Sequence, residues 1–94
     1  MTITFRFLGS FRRVINKGKI DLEAECFITL REAIQKIVEI FPSLRDVLID
    51  PELADPRPNS LILVNGKEIS VLNGLDTQLK DGDEVVLIPV VHGG

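Results

Sequence analysis

Val85-Val86-Leu87-Ile88 is a continuous apolar run between the turn sequence Asp81-Gly82 and Pro89. Successive side chains of a strand point to opposite faces, so four apolar residues in a row make both faces hydrophobic. Burial on both faces is typical of a strand inside a sheet rather than at its edge. The run therefore predicts a central strand, with the earlier strands of the chain on either side of it.

Two amino-terminal segments alternate between apolar and polar residues, which is the pattern of strands with one buried face. In residues 2–8 the inward-facing set is Ile3, Phe5 and Phe7. In residues 19–27 the inward-facing set is Ile20, Leu22, Ala24 and Cys26. The pattern thus predicts that Cys26 is a small buried core residue without nucleophilic function. The segment between these strands, residues 9–18, is interpreted as a loop with a solvated basic end.

One main helix is predicted for residues 30–41. Thr29 and Glu32 have the spacing of a capping box, which satisfies free backbone donors at a helix start. The residues that recur on one helical face are all apolar and predict a core stripe: Leu30, Ala33, Ile34, Ile37, Val38 and Phe41. Pro42 is expected to end the helix, and Ser43 to cap a short second turn.

The second half of the chain is read as a loop followed by a hairpin. Residues 50–60 contain three prolines and are predicted to be irregular. Residues 61–64 form a strand, and Asn65-Gly66 supplies a type I′ turn into a short strand within residues 68–71. Leu75 and Leu79 are expected to pack beneath the sheet. The order of two strands, a helix, two strands and a final central strand predicts an α+β sheet that wraps one helix.

Composition limits the classes of function. The chain has 94 residues and a net charge of −3, enough for one domain and without the basic surface that nucleic-acid binding requires. One cysteine and one histidine make neither an internal disulfide nor a metal site. No apolar run reaches the roughly 20 residues of a membrane span, and no signal peptide is recognisable. The expected location is the cytoplasm, with no membrane partner.

The sequence ends on two glycines, Gly93 and Gly94. Glycine lacks a Cβ, so such an ending can enter a narrow channel and present an unhindered carboxylate. Pro89 is expected to stop the strand ladder and to leave residues 90–94 as a flexible, reactive tail. From Pro89 onward an extended chain spans about 20 Å at roughly 3.3 Å per residue, enough to reach a recessed site on another protein.

Three segments, residues 61–67 (LILVNGK), 74–85 (GLDTQLKDGDEV) and 89–94 (PVVHGG), resemble the ubiquitin-like β-grasp sulfur carriers. That family includes MoaD, ThiS, the ubiquitin-related modifier and the small archaeal modifiers. The resemblance covers the full length and implies an α+β β-grasp domain over residues 1–94, with a mixed sheet of about five strands packed on one main helix. It also implies that an ATP-dependent activating enzyme adenylates the Gly94 carboxylate, which then becomes a thiocarboxylate or is joined to a lysine of a target protein.

The resemblance assigns roles to further residues. Val91, His92 and Gly93 are expected to lie in the partner's channel, with Gly94 as the reacting residue. Apart from the resemblance, docking needs exposed apolar surface, and Leu8 and Phe11 follow a strand whose inward set is already complete. They are candidates for a docking rim together with alternate residues of the last strand; the alternative is that they form a small core under residues 9–18. The carboxylates around Asp81 are interpreted as a strand entry, and no metal site is expected.

Several functions remain open. The first is a sulfur carrier that acts as a MoaD-like small subunit of molybdopterin synthase, with the large subunit or another sulfur acceptor as partner. Val90 and His92 depart from the usual MoaD ending, which keeps protein modification through target lysines and sulfur donation for tRNA thiolation or cysteine synthesis open. A further alternative is a β-grasp interaction module with an inert tail. If the chain is a sulfur carrier or a protein modifier, it is expected to be a carrier subunit rather than a stand-alone enzyme. It is then expected to bind no cofactor itself, while the activating partner uses ATP.

Overall fold

A computed structural model describes residues 1–90 of the chain. Five strands form one mixed sheet in the order β2-β1-β7-β4-β5, with β1 and β7 parallel and the other pairs antiparallel. Their bounds are β1 Thr2–Phe7, β2 Lys19–Glu23, β4 Ser60–Val64, β5 Lys67–Glu68 and β7 Glu84–Pro89. Two short strands, β3 Ile28–Thr29 and β6 Gln78–Leu79, pair with each other beside the main sheet. The predicted central position of residues 85–88 is confirmed.

The main helix, α2 Leu30–Ile40, begins at the predicted capping box. The Glu32 N–H donates to Thr29 Oγ1 over 3.2 Å, and the Thr29 N–H donates to Glu32 Oε1 over 3.3 Å. Phe41 is the carboxyl-terminal cap, so the helix is one residue shorter than predicted. Five residues of the predicted apolar stripe are buried, namely Leu30, Ala33, Ile34, Ile37 and Val38. The architecture is the expected β-grasp, in which one sheet face covers this helix.

Two further helices depart from the sequence-based expectation. Residues 9–18 are not a loop: α1 spans Gly9–Ile15 and ends at Asn16, whose left-handed φ of 56° closes the last turn. The second turn after α2 is a helix of seven residues, α3 Pro42–Leu48, with Pro42 in its first turn. Ser43 does not cap α3, because Phe41 occupies the cap position. Among the described helices none is both long and apolar enough to cross a membrane.

The second strand is shorter than the alternation in residues 19–27 suggests. It ends at Glu23, and the last ladder contact beyond it is the Ala24 N–H, which donates to the Met1 carbonyl oxygen over 2.8 Å. The chain then turns at Phe27, which has a left-handed φ of 66°. The prediction that Cys26 is buried is therefore wrong, and its side chain is exposed. Alternation extended past the strand end cannot assign a face once the backbone leaves the sheet.

The hairpin after β4 forms as predicted at its turn but not in its second strand. Asn65 and Gly66 have φ angles of 51° and 83°, the positive pair that a type I′ turn requires. The returning strand β5 contains only two residues, and residues 69–71 form a 3₁₀ turn instead of continuing it. Leu75 and Leu79 are buried, as expected.

The sheet has one face buried under the helices and one open face. Along β7, Val85 and Leu87 are fully buried, whereas Val86 and Ile88 on the other face are only half-buried. The central position of β7 was thus predicted correctly. The prediction that both of its faces are buried is wrong, because one face is partly exposed. The strand neighbours on both sides pair the backbone of β7 but leave the side chains of Val86 and Ile88 partly exposed.

Candidate functional site

The chain remains in the sheet one residue past Pro89. Pro89 pairs with Ser60, and the Val90 N–H donates a hydrogen bond of 3.0 Å to the Asn59 carbonyl oxygen. The prediction that Pro89 stops the ladder is therefore wrong. The Leu87 carbonyl oxygen accepts a hydrogen bond from the Leu8 N–H, which continues β1. The backbone N–H and carbonyl groups of odd-numbered residues in β7 therefore point toward β1, and those of even-numbered residues point toward β4. The missing N–H of Pro89 consequently lies on the side where no ladder bond to β4 is needed.

This hydrogen bond fixes Val90, the last described residue, to which residues 91–94 are attached. We call Asn59, Ser60, Pro89 and Val90 the tail root. The Asn59 side chain donates to the Leu48 carbonyl oxygen over 3.3 Å, which joins the tail root to the end of α3. The buried Ser60 hydroxyl donates to the Pro56 carbonyl oxygen over 2.7 Å. Counted from Val90, the four following residues can extend at most about 13 Å at roughly 3.3 Å per residue, less than the sequence suggested.

Helix α1 supports the tail root from the other side. Gly9 has a φ of +52°, and a Cβ at this position would lie 2.9 Å from Pro89 Cγ. Real Cβ atoms do not approach other carbons so closely, so only glycine fits here without movement of the proline ring. The first residue of α1 and the last residue of β7 are therefore in direct contact.

The open face of the sheet carries an apolar patch that leads to the tail root. We define the open-face patch as Leu8, Leu61, Leu63, Val86 and Ile88. Strand pairing places Leu61 opposite Ile88 and Leu63 opposite Val86. Leu8 and Leu61 are 44% and 41% exposed, and the other three are partly exposed. Val90, 46% exposed, extends the row formed by Val86 and Ile88, because alternate residues of one strand share a face.

Of the two residues proposed for docking, the structure leaves one exposed and buries the other. The extended backbone of Leu8, with φ −113° and ψ 163°, continues the alternation of β1 and directs its side chain to the open face. Phe11 lies one turn into α1 and is only 1% exposed. Helix α1 packs against α3 and β7, and Phe11 is its buried residue. Phe11 therefore belongs to the core and offers no docking surface, which is the alternative that the sequence left open.

The sequence-based interpretation placed one alternate set of the last strand on the rim, and the structure identifies that set as Val86 and Ile88. It missed Leu61 and Leu63, although a signal was present. Leu61 and Leu63 lie in a run of four apolar residues, and this run was interpreted only as a strand. In a sheet with one open face, half of such a run must be exposed, and adjacent exposed apolar residues often mark a binding surface. An ion pair borders the patch, with Arg6 Nε 2.6 Å from Glu84 Oε2.

The acidic turn before β7 has a structural role. Asp81 Oδ1 accepts a hydrogen bond of 2.7 Å from the Thr2 N–H. Asp83 accepts from the Lys80 N–H over 2.7 Å and from the Asn65 amide over 2.9 Å. These carboxylates close the turn and join it to β1 and to the hairpin, as the strand-entry interpretation predicts. Within residues 1–90 no three His, Cys, Asp or Glu side chains come together in a way that could hold a metal ion.

The loop that leads to the tail root is held by a charged pair. Arg57 binds Asp55 with both Nε and Nη2, at 3.0 and 2.5 Å. This hydrogen bonding lowers the pKa of Asp55 from its ordinary value of 3.8 and raises the pKa of Arg57. Burial of the Asp55 carboxyl opposes the first effect but is the smaller cause. The pair fixes the loop three residues before Ser60, where the loop becomes β4.

The remaining predicted site residues, Val91, His92, Gly93 and Gly94, lie outside the residues that the structure describes. What the structure contributes is the place where they attach. Val90, to which they are attached, lies at the carboxyl-terminal end of the central strand and extends the row of Val86 and Ile88 in the open-face patch.

Comparison with known proteins gives a consistent result. The ThiS family matches residues 5–94. The small archaeal modifier protein 3 of Haloferax volcanii is 31% identical over 94 residues, covering all of both chains. A putative sulfur carrier protein of Archaeoglobus fulgidus is 33% identical over 82 residues, covering 85% of this chain and 89% of the other. A protein complex of subunits 1 and 2 of the molybdopterin-converting factor from Helicobacter pylori contains a chain that is 26% identical, fully covered on both sides, with a TM-score of 0.63.

The fold, the terminal glycines and these matches define the class of protein: a ubiquitin-like β-grasp sulfur carrier or modifier. Within that class, the chain belongs to the ThiS family.

Proposed function

We propose that this chain is a sulfur carrier whose Gly94 carboxylate is adenylated by an ATP-dependent partner enzyme and then converted to a thiocarboxylate. The observation that carries the proposal is the continuity between surface and terminus. The apolar row of the open face follows β7 through Val90, and Gly94 is only four residues further along the chain. A partner that covers the patch thus has the terminal carboxylate within about 13 Å of Val90.

The chemistry needs a partner because the chain supplies only the reacting group. A carboxylate is a poor electrophile, since its charge is shared by two oxygens and it has no good leaving group. One carboxylate oxygen attacks the α-phosphorus of ATP and displaces pyrophosphate, which gives an acyl-adenylate. A sulfur nucleophile then attacks the acyl carbon and displaces AMP. Glycine at position 94 leaves this carbon open to attack because it has no side chain.

Docking of the activating enzyme is assigned to the open-face patch. Leu8→Asp tests this assignment in a favourable way, because Leu8 is the cap residue of α1 and forms no side-chain cap hydrogen bond. Aspartate is a good helix cap, so the variant is expected to fold as well as the wild type while placing a charge in the patch. We expect binding of the activating enzyme to weaken at least tenfold, which corresponds to about 1.4 kcal/mol. Full burial of a leucine side chain contributes about 1.5–3 kcal/mol, so the loss of this contact is large enough.

A matched control is Phe27→Asp, which also places a charge on an exposed apolar residue. Phe27 is 82% exposed, lines a groove with residues of α2 and does not belong to the open-face patch. Its left-handed φ of 66° suits aspartate better than phenylalanine. Equal loss of binding in both variants would show that the open-face patch is not the docking surface.

The sulfur acceptor is a separate proposal. We propose a MoaD-like role as the small subunit of a molybdopterin synthase, in which the tail delivers sulfur to the large subunit. The likeness to a chain in a molybdopterin-converting factor complex supports it. The full-length likeness to a small archaeal modifier supports a second candidate, conjugation of Gly94 to lysines of target proteins. Both candidates share the same activated carboxylate.

Deletion of Gly94 tests the central claim. The shortened chain presents its carboxylate about 3.5 Å short of the catalytic position, a displacement expected to abolish adenylation. ATP–pyrophosphate exchange with the cognate activating enzyme measures this, and we expect exchange to disappear while the unfolding midpoint stays unchanged. Gly93→Val is expected to act similarly, since its β-branched side chain widens the tail. Normal exchange by the folded, shortened chain would exclude the terminal carboxylate as the reacting group and favour an interaction module.

Intact mass spectrometry separates the two fates of the activated chain. After growth with the activating enzyme, a carrier gains one sulfur in place of one oxygen. A modifier appears instead as lysine-linked conjugates whose linkage peptide ends at Gly94.

A further inference from the structure

The outer edge of the sheet at β2 has free backbone hydrogen-bonding groups. The Ala24 N–H donates to Met1, and the Gly18 carbonyl oxygen accepts from the Phe7 N–H, so the even residues of this segment bond to β1. Bonding direction alternates along an antiparallel strand, so the N–H and carbonyl groups of Lys19, Asp21 and Glu23 point outward. Within residues 1–90 no hydrogen bond to these outward groups is formed.

The two edges of the sheet differ in length. Strand β5 at the opposite edge contains only two residues, which limits what can pair with it. Strand β2 contains five residues, and its outward groups repeat three times. An edge of this length can accept one more strand, a mode of recognition in which backbone bonds supply affinity and side chains supply selectivity.

Charge on the β2 edge selects what can pair there. Lys19, Asp21 and Glu23 are exposed on the open face, while Ile20 and Leu22 face the helices. The Asp21 carboxylate accepts a hydrogen bond of 2.9 Å from the Thr4 hydroxyl. The Glu23 carboxylate accepts one of 2.7 Å from the Thr2 hydroxyl. Directly opposed like charges destabilise strand pairs, so a strand with acidic residues opposite Asp21 and Glu23 is disfavoured and one with basic residues is favoured.

The chain just beyond β2 adds an exposed aromatic ring to the same surface. Phe27 is 82% exposed and has a left-handed φ of 66°, a conformation that is rare for bulky residues. Phe27 lines a groove together with Glu25, which precedes it in the chain, and with Lys36 of α2. The groove begins at Glu23, where β2 ends. A strand added to β2 would pass from the edge into this groove and cover the ring.

We propose that the outer edge of β2 binds an extended basic segment of a partner protein as an added antiparallel strand. The segment carries Lys or Arg opposite Glu23 and Asp21, an acidic residue opposite Lys19, and aliphatic residues opposite Leu22 and Ile20. This surface lies at the sheet edge away from β4 and the tail root, so both surfaces can be occupied together.

A peptide with the sequence KVKVE, acetylated and amidated, is the probe, and the charge-reversed EVEVK is its control. Each is titrated into the ¹⁵N-labelled full-length chain. We expect KVKVE to shift the amide resonances of Lys19, Asp21 and Glu23 more than those of Ile20 and Leu22, and to slow their exchange with solvent. We expect EVEVK to bind on the order of tenfold more weakly, because three cross-strand charge pairs become repulsive.

Two variants at one position separate backbone from charge. Asp21→Pro removes an outward N–H that takes no part in the ladder to β1, a place where a sheet tolerates proline. Asp21→Ala removes the same carboxylate but keeps the N–H. We expect the alanine variant to bind KVKVE a few-fold more weakly and the proline variant to lose binding. Equal binding by these two variants would overturn the added strand.

A charge exchange keeps the test decisive if the proline variant does not fold. The double variant Asp21→Lys with Glu23→Lys changes only exposed side chains and is expected to prefer EVEVK over KVKVE. An unchanged preference would refute the proposed charge selection. A dimer of the free chain that Asp21→Pro dissociates would assign the edge to a second copy and would overturn the assignment to a basic partner.

Discussion

Replacement of Gly9 by alanine tests how firmly the domain holds the start of its tail. The new Cβ would lie 2.9 Å from Pro89 Cγ, and the backbone there has a φ of +52°. A left-handed conformation costs a residue with a Cβ about 1–2 kcal/mol, and the lower entropy of the unfolded alanine chain offsets about 0.4–1 kcal/mol of this. Overpacking against the proline ring adds about 1–3 kcal/mol. We expect a loss of about 3 kcal/mol in the free energy of unfolding.

Gly74→Ala is the matched control, because it shares the conformation without the clash. Its φ is +57°, and a Cβ there would meet only Arg57 Nη1, at 3.9 Å, an ordinary contact. We therefore expect a loss of about 1 kcal/mol for Gly74→Ala, which covers the conformational cost alone. The difference between the two variants isolates the contact between α1 and Pro89.

Urea unfolding and thermal unfolding measure both variants. For a chain of this size each 1 kcal/mol lowers the melting temperature by roughly 4–8 °C, so Gly9→Ala should melt roughly 12–24 °C lower and Gly74→Ala roughly 4–8 °C lower. If Gly9→Ala were no less stable than Gly74→Ala, the contact would not hold the tail root. The conclusion that the domain fixes the tail up to Val90 would then rest on the hydrogen bond to Asn59 alone.

Three further predictions concern the core position of Phe11, the ion pair of Asp55 and the exposure of Cys26. Phe11→Ala should lower the free energy of unfolding by about 3–5 kcal/mol in urea titrations, whereas Leu8→Ala should change it by less than about 1 kcal/mol; equal effects would contradict the core assignment of Phe11. Asp55→Asn should cost about 1 kcal/mol at neutral pH. Because Arg57 lowers the folded-state pKa of Asp55 below 3.8, the stabilisation is present above pH 3.8 and disappears as the pH falls through that lowered pKa. A difference between wild type and variant that does not shrink as the pH falls below 3.8 would refute this cause. Exposed Cys26 should react with a thiol reagent in the native chain as fast as in urea; strong protection would contradict its exposure.

The sequence was informative where a local pattern determines a local structure. The capping box of Thr29 and Glu32 and the apolar stripe that follows fixed α2, because both depend on residues within one or two turns. Asn65-Gly66 fixed its turn because few other pairs adopt two positive φ angles. The helix α1 was missed because it has only seven residues, its start at Gly9 has no side-chain cap, and its helical spacing is limited to Phe11, Val14 and Ile15.

For the candidate site, the sequence was the basis for predicting the chemistry, and the fold determined the surroundings. The two glycines Gly93 and Gly94 led to the prediction of a reactive carboxylate, and it stays a prediction. Which apolar residues are exposed was decided only by tertiary structure: Leu8 and Phe11 are three residues apart, but β1 directs one to the open face and α1 directs the other into the core. The same holds for Cys26, whose face is lost once β2 ends, and for Pro89, whose place in the ladder depends on which neighbouring strand its nitrogen faces. These features depend on contacts with residues distant in sequence. Local sequence patterns do not specify where those distant residues lie in the folded domain.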